Sequence, residues 1–107
     1  ARERGYGIEA HTIGDRSARV LVDEFERVGV KPEERVTLTH CQVLSEALLP
    51  RIAKMGLVAS IQPQFTHSDV AIVPSRIGTD TPRFKYSYAW KTIRQAGIRL
   101  AGGADAP

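Results

Sequence analysis

Arg35-Val36-Thr37-Leu38-Thr39 is rich in β-branched residues and alternates polar with apolar side chains as a strand does, and it runs straight into His40-Cys41-Gln42. A strand closed by a histidine has a counterpart upstream, where Tyr6-Gly7-Ile8-Glu9-Ala10 ends at His11. Between the two, Thr12-Ile13-Gly14-Asp15 reads as a turn with Asp15 as helix N-cap, and a helix is predicted from near Arg16. Its apolar residues Ala18, Leu21, Phe25 and Val28 lie three or four apart, one stripe on a helix, and Gly29 stands where a left-handed cap closes it.

The same rhythm continues downstream. Ser45 with Glu46 opens a second helix carrying Leu48, Leu49, Ile52 and Met55 and stopping at Gly56; Pro50 offers an alternative start, as the first helical residue. Leu57-Val58-Ala59-Ser60-Ile61 is a third strand, ended by Gln62-Pro63 because proline cannot continue a central donor ladder. Gln64 to Arg83 shows no periodicity and is expected to be a long loop of the lid or substrate-loop kind. A last helix is expected to carry Tyr86, Tyr88, Ala89, Trp90 and Ile93 before Gly97, its aromatics read as core packing. Ile98-Arg99-Leu100-Ala101 is the fourth strand, followed by Gly102-Gly103-Ala104-Asp105. This βαβαβαβ order predicts an α/β fold with parallel strands.

Composition narrows the function classes. At 107 residues the chain is one domain, about four-tenths of a roughly 250-residue α/β barrel. No apolar run approaches the ~20 residues that cross a bilayer, so no membrane partner is expected. The start, Ala1-Arg2-Glu3-Arg4-Gly5, has neither an initiator Met nor a signal-peptide core, and the chain reads as a segment of something longer. Fifteen Lys and Arg against twelve Asp and Glu are scattered rather than clustered, so no nucleic-acid partner is expected. Cys41 is the only cysteine, which excludes an internal disulfide and a multi-Cys zinc site; a reducing compartment, the cytoplasm, fits.

In parallel α/β folds, ligand sites gather at the carboxyl ends of the strands. Here those ends are His11, His40, Gln62 and Asp105. Two imidazoles and a carboxylate meeting on one rim have the composition of a catalytic metal site; neutral imidazoles suit zinc, and three protein ligands leave a position open. Each residue also has a plainer reading: a histidine hydrogen-bonded in a turn, Asp105 in a Gly-rich turn or helix cap, Asp15 as a cap only, Cys41 as a small buried hydrophobe. His67 lies in the long loop, either solvated or, with Gln62, touching substrate. Gly102-Gly103 is too short for a phosphate loop, and no Walker or dinucleotide fingerprint occurs.

His11-Thr12-Ile13-Gly14-Asp15, Thr39-His40-Cys41-Gln42, Ser60-Ile61-Gln62-Pro63, Tyr88-Ala89-Trp90 and Gly103-Ala104-Asp105-Ala106-Pro107 follow one another in an order that resembles the second half of a metal-dependent amidohydrolase. The similarity spans essentially the whole chain and is nearest the branch named for N-substituted formamide deformylase. It implies a partial (β/α)8 TIM barrel, residues 1–107 as one partial catalytic domain holding strands five to eight. It implies His11 and His40 as metal-binding histidines and Asp105 as the aspartate that binds metal and takes the proton of the attacking water. The implied cofactor is a divalent metal, zinc by preference, with iron or manganese as alternatives. The implied reaction is hydrolysis of a carbon–nitrogen bond in a small amide-type substrate. Thr12 replaces a common Ala and Ala104 a common Ser, neither of them a ligand. The family's His-x-His pair of strand one and bridging ligand of strand four have no equivalent in these residues, so half a metal site is expected.

Half a barrel exposes two sheet edges, and self-association is expected, two copies closing eight strands around a two-fold axis. Little or no activity is expected of these residues alone. Two other classes remain at this point: a non-catalytic α/β module binding a small ligand without metal, and an inert structural piece whose function belongs to a longer protein.

Overall fold

In a computed structural model, which describes residues 1–105, four parallel strands, β1 (Glu9–Thr12), β2 (Thr37–His40), β3 (Val58–Ile61) and β4 (Arg99–Gly102), lie side by side in chain order. Helix α1 (Asp15–Arg27) links β1 to β2, and α2 (Leu48–Lys54) links β2 to β3. Between β3 and β4 run α3 (Gln64–Asp69), α4 (Val73–Ile77), α5 (Pro82–Lys85) and α6 (Trp90–Gln95). Strand order equal to chain order, with a helical connection between each parallel pair, is the arrangement of a consecutive arc of a (β/α)8 barrel.

Alternation along the strands divides the sheet into two unlike faces. Leu38, Ala59 and Ile61 are buried towards the helices, where they join Ala18, Val22 and Phe25 of α1, Leu48, Leu49 and Ile52 of α2, and Ile93 of α6. Glu9, His11, Arg99 and Ala101 are exposed on the edge strands, while Ala10 and Leu100 between them are half-buried. The sheet therefore has an apolar back and a polar front, and the candidate site is built on the front.

The two glycine caps read from sequence form as expected. At the end of α1, Gly29 takes φ +67°, its N–H donating to the Glu26 carbonyl at 3.0 Å and that of Val30 to Phe25 at 2.9 Å. Gly56 repeats the motif after α2, with Gly56 N–H to Ala53 at 3.0 Å and Leu57 N–H to Ile52 at 3.2 Å. Arg51 joins α2 to α1 through Asp23 at 2.6 Å and Glu26 at 2.7 Å.

Several expectations are corrected. Tyr6, Gly7 and Ile8 precede β1, which instead extends to Thr12, and β2 begins at Thr37 rather than Arg35. Gly14 is the N-cap of α1; Asp15 is its first residue and pairs with Arg83 at 3.0 Å. Pro50 is the third residue of α2, where its missing N–H has no intrahelical acceptor to lose. Gln64 to Arg83 is not a plain loop: α3, α4 and the start of α5 occupy it, each too short to show a helical period. Tyr86 and Tyr88 lie before α6, because Tyr88 takes φ +48° and breaks the helical path. Tyr86 is nonetheless buried in the core and Trp90 packs against it.

Candidate metal centre

His11 projects from β1 and His40 closes β2; the register pairs His11 with Thr39 and Thr12 with His40. His40 and Cys41 both leave the extended conformation, with φ +79° and +49°. Consecutive non-glycine residues in the left-handed region each cost on the order of 1 kcal/mol or more, and such strain gathers at functional sites. Here it brings the two imidazoles together: His11 Nδ1 lies 2.9 Å from His40 Nε2, with the rings 5.0 Å apart and inclined by 21°.

His11 is exposed on the sheet front, whereas His40 is buried. The other nitrogen of His40, Nδ1, lies 2.9 Å from Oε1 of Gln62, itself 3% exposed. Gln62 Nε2 donates to the Ser60 carbonyl at 3.4 Å. The ring of Phe65, on α3, stacks over His40 at 6.3 Å. Below the pair, the Thr39 hydroxyl donates to Glu9 Oε1 at 2.5 Å. Cys41, beside His40, is buried; desolvation pushes its thiol up to about 12, so it stays protonated and its Sγ donates weakly to the Leu38 carbonyl at 3.6 Å.

Asp105 follows the carboxyl end of β4, on the same rim as the histidines, and is exposed with φ +56°. Gln64 tethers the approach to it, donating to the carbonyls of Gly103 at 3.3 Å and Ala104 at 2.8 Å. Among the described residues no group of three His, Cys, Asp or Glu is close enough to hold a metal, so the chain brings His11 and His40 together but not Asp105 with them. Ala106 and Pro107, the end of the Gly103–Pro107 motif, lie outside the described residues. His67 is exposed on α3, two residues beyond Phe65 and thus on the far side of that helix. The contacts of Phe65 and of Glu9 were not anticipated, although strand alternation already placed Glu9, His11 and Thr39 on one face.

The segment from α3 to Tyr88 also lines a half-open pocket of about 270 Å³, walled largely by Val70, Val73, Pro74 and Phe84. Tyr88 donates its hydroxyl to the Asp69 carboxylate there, and burial together with that carboxylate pushes the phenol's pKa up. The cavity wall is anchored to the segment that follows β2, since the Tyr88 N–H donates to the Gln42 carbonyl at 2.7 Å.

This parallel β/α arc, with paired histidines on its carboxyl rim, has the fold of part of a (β/α)8 barrel. All of residues 1–107 match the amidohydrolase family, and the chain belongs to it. It is 39% identical over 107 residues to YtcJ of Bacillus subtilis (strain 168), covering 100% of this chain and 20% of that protein. It is 27% identical over 110 residues to LONG AFTER FAR-RED 3 of Arabidopsis thaliana, covering 100% of this chain and 19% of that protein. Among solved structures, an uncharacterized metal-dependent hydrolase of Pyrococcus furiosus superposes with TM-score 0.85 at 29% identity, over 100% of this chain and 21% of the other. A second, from Pyrococcus horikoshii OT3, gives TM-score 0.86 at 28% identity, over 100% and 20%. The chain thus spans about one fifth of the length of the relatives it matches.

Proposed function

We propose that His11 and His40 are two ligands of a divalent metal, zinc by preference, in a hydrolase that cleaves carbon–nitrogen bonds of small amide-type substrates, within the N-substituted formamide deformylase-like branch. The observation that carries this reading is the approach of His11 Nδ1 to His40 Nε2 at 2.9 Å. Two nitrogens each ~2.1 Å from one ion are about 3.0 Å apart at a right angle and about 3.4 Å at the tetrahedral angle, so the pair fits a shared ion with little movement. Such an ion supplies a water acidified towards neutral pH and polarises an amide carbonyl.

The chain's own residues do the rest. Asp105 would add a third ligand from this chain and would take the proton of the attacking water at a carboxylate oxygen, passing it to the leaving nitrogen. Its position after β4, on the rim that carries both histidines, supports that role. The apolar cavity beside the rim supports a substrate with a small apolar substituent. We assign the protein to the cytoplasm, which its single, buried cysteine supports; among the described residues no helix is long and apolar enough to cross a membrane. Taken alone, these residues are proposed to bind metal without turnover.

Cobalt(II) titration followed by its visible absorption tests the ligand pair. The band expected from nitrogen and oxygen ligation should be lost in His11→Ala and in His40→Ala; an unchanged spectrum in both variants contradicts the reading.

A further inference from the structure

We infer that Gln62 is a positioning residue: its side-chain amide dictates which ring nitrogen of His40 carries the proton, and so aims the Nε2 lone pair at the metal position. A glutamine amide offers an acceptor at one corner and two donors at the other, so its orientation must be fixed by a group that has only one of these capacities. The Ser60 carbonyl is such a group. It only accepts, and it takes Gln62 Nε2 at 3.4 Å. Oε1 therefore faces His40 Nδ1, at 2.9 Å, and an oxygen there requires a proton on Nδ1. The remaining nitrogen, Nε2, keeps its lone pair and points towards His11 Nδ1.

The surroundings make this orientation hard to escape. His40 is 4% exposed and Gln62 3%, so an imidazole turned over would leave both Nδ1 and Oε1 without water to replace the lost bond. The Phe65 ring stacked on His40 resists rotation of the imidazole out of its plane. Metal-binding histidines commonly donate their second N–H to a carboxylate or carbonyl, which fixes ring and tautomer; here a neutral amide takes that place. This positioning role is distinct from the substrate contact expected of Gln62 and engages its Oε1 with His40.

The first measurement is made without metal and depends only on this contact. Nitrogen-15 NMR of histidine-labelled full chain should show His40 with its proton on Nδ1. Gln62→Glu, which keeps an acceptor, should preserve that tautomer, and Gln62→Leu should release it to the mixture of a free imidazole. Wild-type His40 protonated at Nε2 overturns the inference, whether or not Gln62→Leu folds. The second measurement rests on the metal reading above: zinc affinity by calorimetry should fall 10- to 100-fold in Gln62→Leu and be retained in Gln62→Glu. Equal affinity in wild type and Gln62→Leu, each folded, contradicts the positioning role. Absence of zinc binding in every variant, with the NMR result as expected, instead overturns the metal reading and leaves the tautomer assignment standing.

Discussion

His11 and His40 face each other although they stand one register step apart: His11 pairs with Thr39, not with His40, yet their nitrogens are 2.9 Å apart. In a regular strand the residue after Thr39 would point to the helix side of the sheet. The left-handed backbone at His40, φ +79°, swings its ring onto the front instead. Asparagine tolerates that conformation and a β-branched residue does not. His40→Val should therefore be less stable than His40→Asn by about 1–3 kcal/mol, measured by urea unfolding. Equal stabilities would contradict the role given to the backbone.

A Cβ placed on Gly56 would lie 2.6 Å from Pro32 Cβ, whereas one placed on Gly29 meets nothing within 4 Å. Both residues have φ near +65°, so both alanine variants pay the left-handed penalty of about 1–2 kcal/mol. Gly56→Ala should lose appreciably more stability than Gly29→Ala, the excess reporting the contact between the end of α2 and the 3-10 turn Pro32–Glu34. Thermal unfolding of the two variants side by side checks this.

Cys41 gives a pH dependence with a definite sign. Its folded-state thiol is pushed up to about 12, while the thiol of an unfolded chain ionises near 8.5. Above about 8.5 the unfolded chain therefore binds fewer protons than the folded one, and stability falls as pH rises towards the folded value. Between pH 7 and pH 10 the wild type should lose about 1–2 kcal/mol more than Cys41→Ala. Parallel urea midpoints over that range would contradict the burial of the thiol as the cause.

The edges of the sheet carry opposite charges. One cross-strand row runs Glu9, Thr37, Val58, Arg99, so β1 presents an acidic and β4 a basic side chain at the same level. A second copy set with its β1 beside the first copy's β4 brings those charges together, and we propose self-association on this pattern. Light scattering at micromolar concentration should give twice the mass of the single chain, falling in Arg99→Glu; a sharp monomer contradicts it.

The strands and both long connections were legible because local and global signals agree there: alternation in Thr37–His40, the three-and-four spacing of Ala18, Leu21 and Phe25, and glycine at each cap, although Val22 rather than Leu21 is fully buried and Val28 is exposed. The region from α3 to α5 was not, since helices of six, five and four residues present less than two turns each. Tyr86 shares helical spacing with Ala89, Trp90 and Ile93 by coincidence, and only the φ of Tyr88 removes it from α6. Of the site, sequence order sufficed to put His11, His40 and Asp105 at strand ends. It could not show that His40 needs a positive φ to join His11, nor that the Gln62 amide turns towards His40 rather than outwards. Both follow from tertiary contacts between strands that are far apart in the chain.

The most direct test of the central claim is the metal content of the chain purified without chelators, measured by plasma mass spectrometry beside the His11→Ala/His40→Ala double variant. The account predicts near-stoichiometric zinc in the wild type and its loss in the folded double variant. Wild type without metal, or equal metal in both, would contradict the assignment of His11 and His40 as a ligand pair.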